Sequence, residues 1–270
     1  MARYVIGIGS QRCGTTLLHA LLGTARGLAM HPVKELHYFD VKYGLRPLSL
    51  QQSRARRRLL RQLLRPHTLF AGPRMLAART NWLQANSPQV DYPYESLFGD
   101  LAVGNDAVGE VTPEYMLLPA SDVRHMREAI GDAHIILLTR DPLQRLLSSL
   151  KLRFDALGVD LLSMARADAE QQFLLFLDQN PGWITRQKAF NDYAGAAERF
   201  SREFPNLLTL DYEKLVDEQV GRRQLEQFLD VAFDVAAYQH ILGRRHNAHH
   251  RALPESSVIV DRMRALFQLQ

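Results

Sequence analysis

A chain of 270 residues, 46% hydrophobic and 23% charged, can bury one large α/β core over 1–270 without disulfide or metal staples. Its single cysteine closes no intrachain disulfide, and no stretch approaches the roughly 20 apolar residues of a membrane span, so a soluble cytoplasmic protein is expected. The net charge is +4 with arginine supplying most of the cations, which suits phosphate, sulfate or carboxylate partners or reflects a G- and C-rich genome; no basic run is interleaved with exposed aromatics, which argues against nucleic acid.

The first element is an apolar run, Tyr4 to Ile8, followed by Gly9-Ser-Gln-Arg-Cys-Gly-Thr-Thr16 and a leucine-rich stretch, Leu17 to Leu22. That order reads as a strand, an anion-binding loop and a helix reaching about Thr24. Glycine at both ends of the loop permits angles in which successive N–H groups turn inward, and the helix start adds partial positive charge. Thr15 and Thr16 add hydroxyl donors. The glycine spacing is that of the nucleoside-triphosphate loop, yet Thr15 stands where that motif has the lysine that reaches the β- and γ-phosphates. This argues against ordinary ATP or GTP chemistry; the cation inside this loop is Arg12. Cys13 reads as a small side chain packed under the loop, with a reactive thiol as the alternative.

The next segment, His31-Pro-Val-Lys-Glu-Leu-His-Tyr-Phe-Asp40, mixes an acid, a base and two imidazoles, and Pro32 argues against helix at its start. Glu35 can take a proton from an acceptor hydroxyl, Lys34 can stabilise a leaving oxygen, and His37 can do either near neutral pH; plain surface-loop chemistry is the other reading. Gln51 to Arg65 has the pattern of a basic amphipathic helix, read as a solvated face over a small apolar stripe, with an acidic acceptor or an anionic membrane surface as the alternative. Trp82 reads as packing. A short strand within Ala107 to Tyr115 ends at Thr112-Pro113 and puts Glu110 and Thr112 at the mouth of a site. Ser121-Asp122 starts a helix that Gly131 ends.

His134 to Arg140 is a strand buried on both faces, and Asp141-Pro142 caps a helix that runs to about Phe154. Arg140 therefore sits at the carboxyl end of a core strand, where open α/β sheets bind ligands, with Arg145 and Ser148 placed to approach the same anion. A structural salt bridge is the other reading of Arg140. Leu161 to Leu177 and Thr185 to Phe204 read as helices, Asn206 to Leu210 as a strand, and a further helix ends at Leu229. Arg244 to Arg251 is a basic loop whose histidines lack the partners of a metal site, and Ser257 to Phe267 is a final helix.

Four motifs stand in register: the anion loop, Lys34-Glu-x-His37, Gly109-Glu-x-Thr-Pro-x-Tyr115 and Arg140-Asp-Pro-x-x-Arg-x-x-Ser148. Together they resemble the sulfotransferases that use 3′-phosphoadenosine 5′-phosphosulfate, nearest to the heparan-sulfate branch and its bacterial relatives. The resemblance implies an α/β fold of the P-loop NTPase type: three layers, with a central, mostly parallel sheet flanked by helices. It implies that Gln11, Arg12, Cys13, Gly14, Thr15 and Thr16 wrap the 5′-phosphosulfate, and that Arg140 and Ser148 hold the 3′-phosphate. Tyr193 matches an aromatic that contacts the nucleotide. Glu35 matches the catalytic base, and His37 remains the second candidate. The family's glycine-rich loop near the C-terminus is replaced by Gly243 to Arg251, where Arg244, Arg245 or Asn247 stands in.

The expected reaction is in-line transfer of a sulfuryl group to a hydroxyl or amine of a small molecule, glycolipid or oligosaccharide, leaving adenosine 3′,5′-bisphosphate. Glu35 acts as the base while Arg12, Lys34 and the loop offset developing charge, with no metal required. The alternatives are a P-loop kinase of a small metabolite and a non-catalytic nucleotide-binding relative. Acceptor choice is assigned to the segments Val41 to Pro93 and Asp155 to Pro181.

Overall fold

The computed structural model describes residues 2–64, 72–159, 164–244 and 257–269. Its strands are β1 (Arg3–Gly9), β2 (Leu28–Met30), β3 (Ala107–Val111), β4 (Ala133–Thr139) and β5 (Leu207–Asp211). All pair in parallel, in the order β2-β3-β1-β4-β5. The central strand is thus the first in sequence, and its neighbours on either side both come much later. The connection from β1 runs to β2 on one side and that from β3 crosses to β4 on the other, so the direction reverses beside β1 and a crevice opens at its carboxyl end. The loop after Gly9 fills that crevice.

The helices are α1 (Thr15–Leu22), α2 (Tyr38–Lys42), α3 (Leu48–Leu63), α4 (Gly72–Asn86), α5 (Ala120–Ile130), α6 (Pro142–Ala156) and α7 (Arg166–Gln179). They continue with α8 (Pro181–Asn191), α9 (Tyr193–Glu203), α10 (Tyr212–Val216), α11 (Glu218–Leu229), α12 (Val235–Gly243) and α13 (Ser257–Phe267). Among the described residues no helix is long and apolar enough to cross a membrane.

The strands point alternate residues to opposite faces, and both faces are dry. Ile6, Ile8, Ile135 and Leu137 pack with Val123 and Met126 of α5 and Phe200 of α9. Val5, Ile136 and Leu138 face the other way, onto Leu18 and Leu21 of α1 and Leu225 and Leu229 of α11. Each such buried side chain contributes about 1.5–3 kcal/mol, and a short apolar run without polar alternation suits a central strand covered on both faces. A third cluster joins Leu146 and Leu150 of α6 to Phe173 of α7 and Met263 of α13, so the helix that carries Ser148 is braced from outside the sheet.

The expected three-layer, parallel-sheet architecture is present, and the Asp141-Pro142 start of α6 is confirmed: Asp141 accepts from the Gln144 amide at 2.8 Å. Three expectations need correction. The helix expected over Thr185 to Phe204 is two, α8 and α9, because Asp192 breaks it and caps the second through the Gly195 amide at 3.0 Å. Helix α5 begins at Ala120, after Pro119, rather than at a Ser121 cap. Helix α7 starts at Arg166, later than the expected Leu161, which lies outside the described residues.

Candidate active site

The backbone of the first loop is shaped by its two glycines. Gly9 has φ +138°, and a Cβ there would lie 2.5 Å from the Leu138 nitrogen of the neighbouring strand. Gly14 has φ +86°, and a Cβ would collide with the Tyr212 ring at 2.7 Å. Only glycine fits either position. No side chain caps α1, so its first amides are left for an outside acceptor.

Strain is concentrated here. The described non-glycine residues with left-handed backbone are Arg12 (φ 76°), Glu35 (φ 62°), His37 (φ 52°) and two at helix ends, Asp230 and Gln268. Such angles cost a side chain-bearing residue free energy and persist where surrounding contacts enforce them. Three of the five fall on residues singled out from sequence for chemistry.

One open cleft of about 250 Å³ is lined by Gln11, Arg12, Gly14, Thr15, Thr16, Lys34, Glu35, Arg140 and Ser148, together with Leu17, Leu152 and Tyr212. Segments more than a hundred residues apart thus converge on the loop. Arg12 Nε donates to Ser148 Oγ at 2.9 Å, and Arg140 Nη1 donates to the Arg12 carbonyl oxygen at 3.2 Å. The Arg140 guanidinium lies 4.7 Å from the Tyr212 ring centroid, and its buried Nε has no partner. An oxyanion in this cleft would meet the loop amides, two threonine hydroxyls and two guanidinium groups.

The opposite wall is the Lys34–Glu35 pair, Nζ to Oε1 2.5 Å. Behind it, Glu35 Oε2 is 3.7 Å from His37 Nε2, and His37 Nδ1 is 2.8 Å from Asp40 Oδ2. Burial works against the imidazolium, but the Asp40 and Glu35 carboxylates outweigh it and raise the His37 pKa. Burial likewise opposes the Glu35 carboxylate, yet His37 and Lys34 prevail and hold its pKa far below the usual range. Glu35 is therefore ionised, half open to the cleft, and backed by a cation.

Glu110 performs a different task from the one expected. It does not reach the mouth of the site; it is fully buried behind it. Its carboxyl accepts from Thr112 Oγ1 (2.6 Å), the Leu36 amide (3.2 Å), Tyr94 (2.9 Å) and Tyr115 (2.8 Å), and the Tyr115 oxygen accepts from the Tyr38 amide at 2.9 Å. These bonds clamp the backbone on either side of His37. His31 is also structural: it is buried against the Val33 and Leu97 carbonyls, and burial lowers its pKa to about 4.

Other expected residues lie near the cleft without lining it. Cys13 is fully buried beneath the loop, 3.6 Å from the Tyr193 hydroxyl, and burial pushes its thiol up to about 11, which leaves little thiolate. Arg145 does not line the cleft: it is buried and donates to Asn191 (2.5 Å) and Gln187 (2.8 Å) of α8. Arg245 and Asn247 lie outside the described residues. Sequence reasoning missed Asp40 and Tyr212. Tyr212 had a signal, its place directly after a core strand; Asp40 closes the Lys34 segment three residues from His37.

A parallel sheet whose first strand ends in a glycine-bounded loop at an uncapped helix start, with a strand-end arginine and a carboxylate across the cleft, is an α/β arrangement suited to an oxyanion ligand. A model of the sulfotransferase family matches residues 5–235, and the chain belongs to that family. Among solved structures it is similar to a sulfotransferase from Alicyclobacillus acidocaldarius, with 20% identity, TM-score 0.55, and coverage of 100% of this chain and 98% of that one. It is also similar to the sulfotransferase domain of the curacin biosynthetic pathway, with 14% identity, TM-score 0.53, and coverage of 100% and 99%. At these identities the likeness concerns the fold. Comparison with curated protein sequences gave no match.

Proposed function

We propose that the chain transfers a sulfuryl group from 3′-phosphoadenosine 5′-phosphosulfate to a hydroxyl or amine of a small-molecule, glycolipid or carbohydrate acceptor, with Glu35 as the base. The observation that carries this reading is the single cleft in which the anion loop, Arg140 and Ser148 face the Lys34–Glu35 pair. The residues fit such a donor: the uncapped α1 amides and the glycine-shaped loop suit the 5′-phosphosulfate, and the unpartnered Arg140 Nε with Ser148 suits the 3′-phosphate.

The donor supplies an activated sulfuryl group on a phosphate leaving group. Loop amides and Arg12 hold the anion and stabilise the charge that develops on it. Lys34 bridges the two tasks. Paired with Glu35 it keeps the carboxylate ionised; drawn to the leaving oxygen it raises the proton affinity of Glu35 when the acceptor proton must be taken. His37 and Asp40 hold Glu35 from behind. Within the family, the Lys-Glu-x-His segment supports a place nearest the heparan-sulfate branch and its bacterial relatives, and the buried free Cys13 is compatible with a cytoplasmic setting.

The test is calorimetric titration with adenosine 3′,5′-bisphosphate without metal and, separately, with ATP plus Mg²⁺. Tight binding of the bisphosphate alone is expected, and preference for MgATP overturns the reading in favour of phosphoryl transfer. Binding without transfer to any hydroxyl or amine acceptor, with no effect of Glu35→Gln, would mark a non-catalytic relative.

A further inference from the structure

Helix α3 departs from the amphipathic pattern read in its sequence. It packs along α4, with Gln51 bonded to Gln84, and its inward face is polar where it also meets the backbone of the Lys34–Leu36 segment. Gln51 donates to the Leu36 carbonyl at 3.1 Å, and two turns further on Arg58 Nη2 reaches the Lys34 carbonyl at 3.4 Å. The outer arginines behave differently: Arg57 is exposed and donates to the Ser53 carbonyl of its own helix.

The inward arginines have more donors than partners. Arg58 Nη1 is buried with no hydrogen-bond partner. Arg46, just before α3, is 6% exposed; its Nε and Nη2 are buried without partners, and its Nη1 is 4.0 Å from Glu114. Among the described residues neither Arg54 nor Arg58 has a carboxylate within ion-pair distance. Burying a guanidinium without acceptors is costly, so unpartnered donors of this kind mark a place that an outside acceptor completes. Burial lowers the pKa of both Arg46 and Arg58; Arg54 adds to that shift in both, and the Glu35 carboxylate opposes it. None of the three lines the donor cleft, although Glu35 does.

We infer that Arg46 and Arg58, with half-exposed Arg54 at the rim, form an anion subsite on the acceptor side of Glu35 that receives an oxyanion carried by the acceptor itself. The shared chemistry is a carboxylate, phosphate or sulfate group presented to guanidinium forks. The subsite rests on the reading of Glu35 as the base: Lys34 and Glu35 both line the donor cleft, and Arg58 bonds the Lys34 carbonyl directly beside Glu35. An acceptor anchored there has its hydroxyl or amine brought to Glu35 by the charge it carries.

Equilibrium dialysis of radiolabelled inorganic sulfate against protein saturated with adenosine 3′,5′-bisphosphate tests this. One sulfate per chain is expected, with affinity reduced about tenfold or more in Arg58→Gln, the loss of one charged hydrogen-bonding partner, and unchanged in Arg57→Gln. Arg54→Gln, which among the described residues removes no hydrogen bond of the kind Arg58 makes, is expected to weaken binding in the same direction. Sulfate binding that is absent, or indifferent to both Arg58 and Arg54, overturns the subsite while leaving the donor site standing. A protein that does not take up the bisphosphate overturns the sulfotransferase reading instead, and its sulfate titration still decides whether the arginines bind an oxyanion.

Discussion

The Arg140 guanidinium donates through Nη1 to the carbonyl oxygen of Arg12, 3.2 Å away across 128 positions of sequence, while Tyr212 supports it at 4.7 Å. One arginine therefore braces the anion loop and keeps a buried Nε free for a ligand. Arg140→Ala is expected to weaken adenosine 3′,5′-bisphosphate by roughly 1.5–3 kcal/mol, the range of a charged hydrogen bond. Calorimetric titration checks this, and equal affinity in the variant would remove Arg140 from the nucleotide site.

Glu35 meets Lys34 at 2.5 Å on the far wall of the same cleft. Because it lies across the cleft from Arg140 and Ser148, Glu35→Gln should, on the proposed reading, abolish sulfuryl transfer and leave bisphosphate affinity within about 0.5 kcal/mol of the native protein. Transfer from labelled donor, measured beside the titration, separates the two effects. A variant that still turns over at the native rate would hand the role of base to His37.

Much of this site is local and so was legible. The β-branched run, the two glycines and Asp141-Pro142 each specify their own backbone, and the strand end at Arg140 follows from them. What was not legible depends on neighbours distant in sequence. Strand periodicity put Glu110 near the end of β3 but could not show that Tyr94, Tyr115 and the Leu36 amide would converge on it, so it was read as a cleft residue. Arg58 was hidden for the opposite reason. Helical periodicity assigns charge to the solvent, whereas Arg58 and Gln51 donate to the Lys34 and Leu36 carbonyls of a loop distant in sequence. The break between α8 and α9 was missed although Asn191, Asp192 and Gly195 are weak helix formers, and the Asp192 cap to the Gly195 amide marks the boundary.

His37 gives the protein a pH-dependent term whose sign is fixed. Burial disfavours its charge, but Asp40 at 2.8 Å and Glu35 raise its folded pKa above the ordinary 6.5. A raised pKa contributes stability that is fully present below 6.5 and is lost as pH rises through the folded value. Asp40→Asn removes the principal partner. The stability gap between native protein and variant, read from thermal melts across neutral pH, should therefore be widest at the acidic end and narrow as pH rises. A gap that stays constant, or widens with pH, would show that His37 is not held as the cation.

The Tyr115 hydroxyl links the buried Glu110 carboxyl to the backbone that carries the base. It donates to Glu110 Oε1 at 2.8 Å and accepts from the Tyr38 amide at 2.9 Å, so both bonds vanish together in Tyr115→Phe. Glu110 keeps Thr112, Tyr94 and the Leu36 amide, but the Tyr38 N–H is left buried without an acceptor. A buried unsatisfied group costs about 1–3 kcal/mol, and denaturant unfolding should show a loss of that size. The effect should also reach function, because the segment between Leu36 and Tyr38 holds His37 at a left-handed φ of 52° that relaxes once its clamp is loosened. Bisphosphate binding, which depends on the opposite wall of the cleft, should remain while kcat falls. Loss of both in equal measure would mean that the clamp supports the whole fold rather than the placement of Glu35.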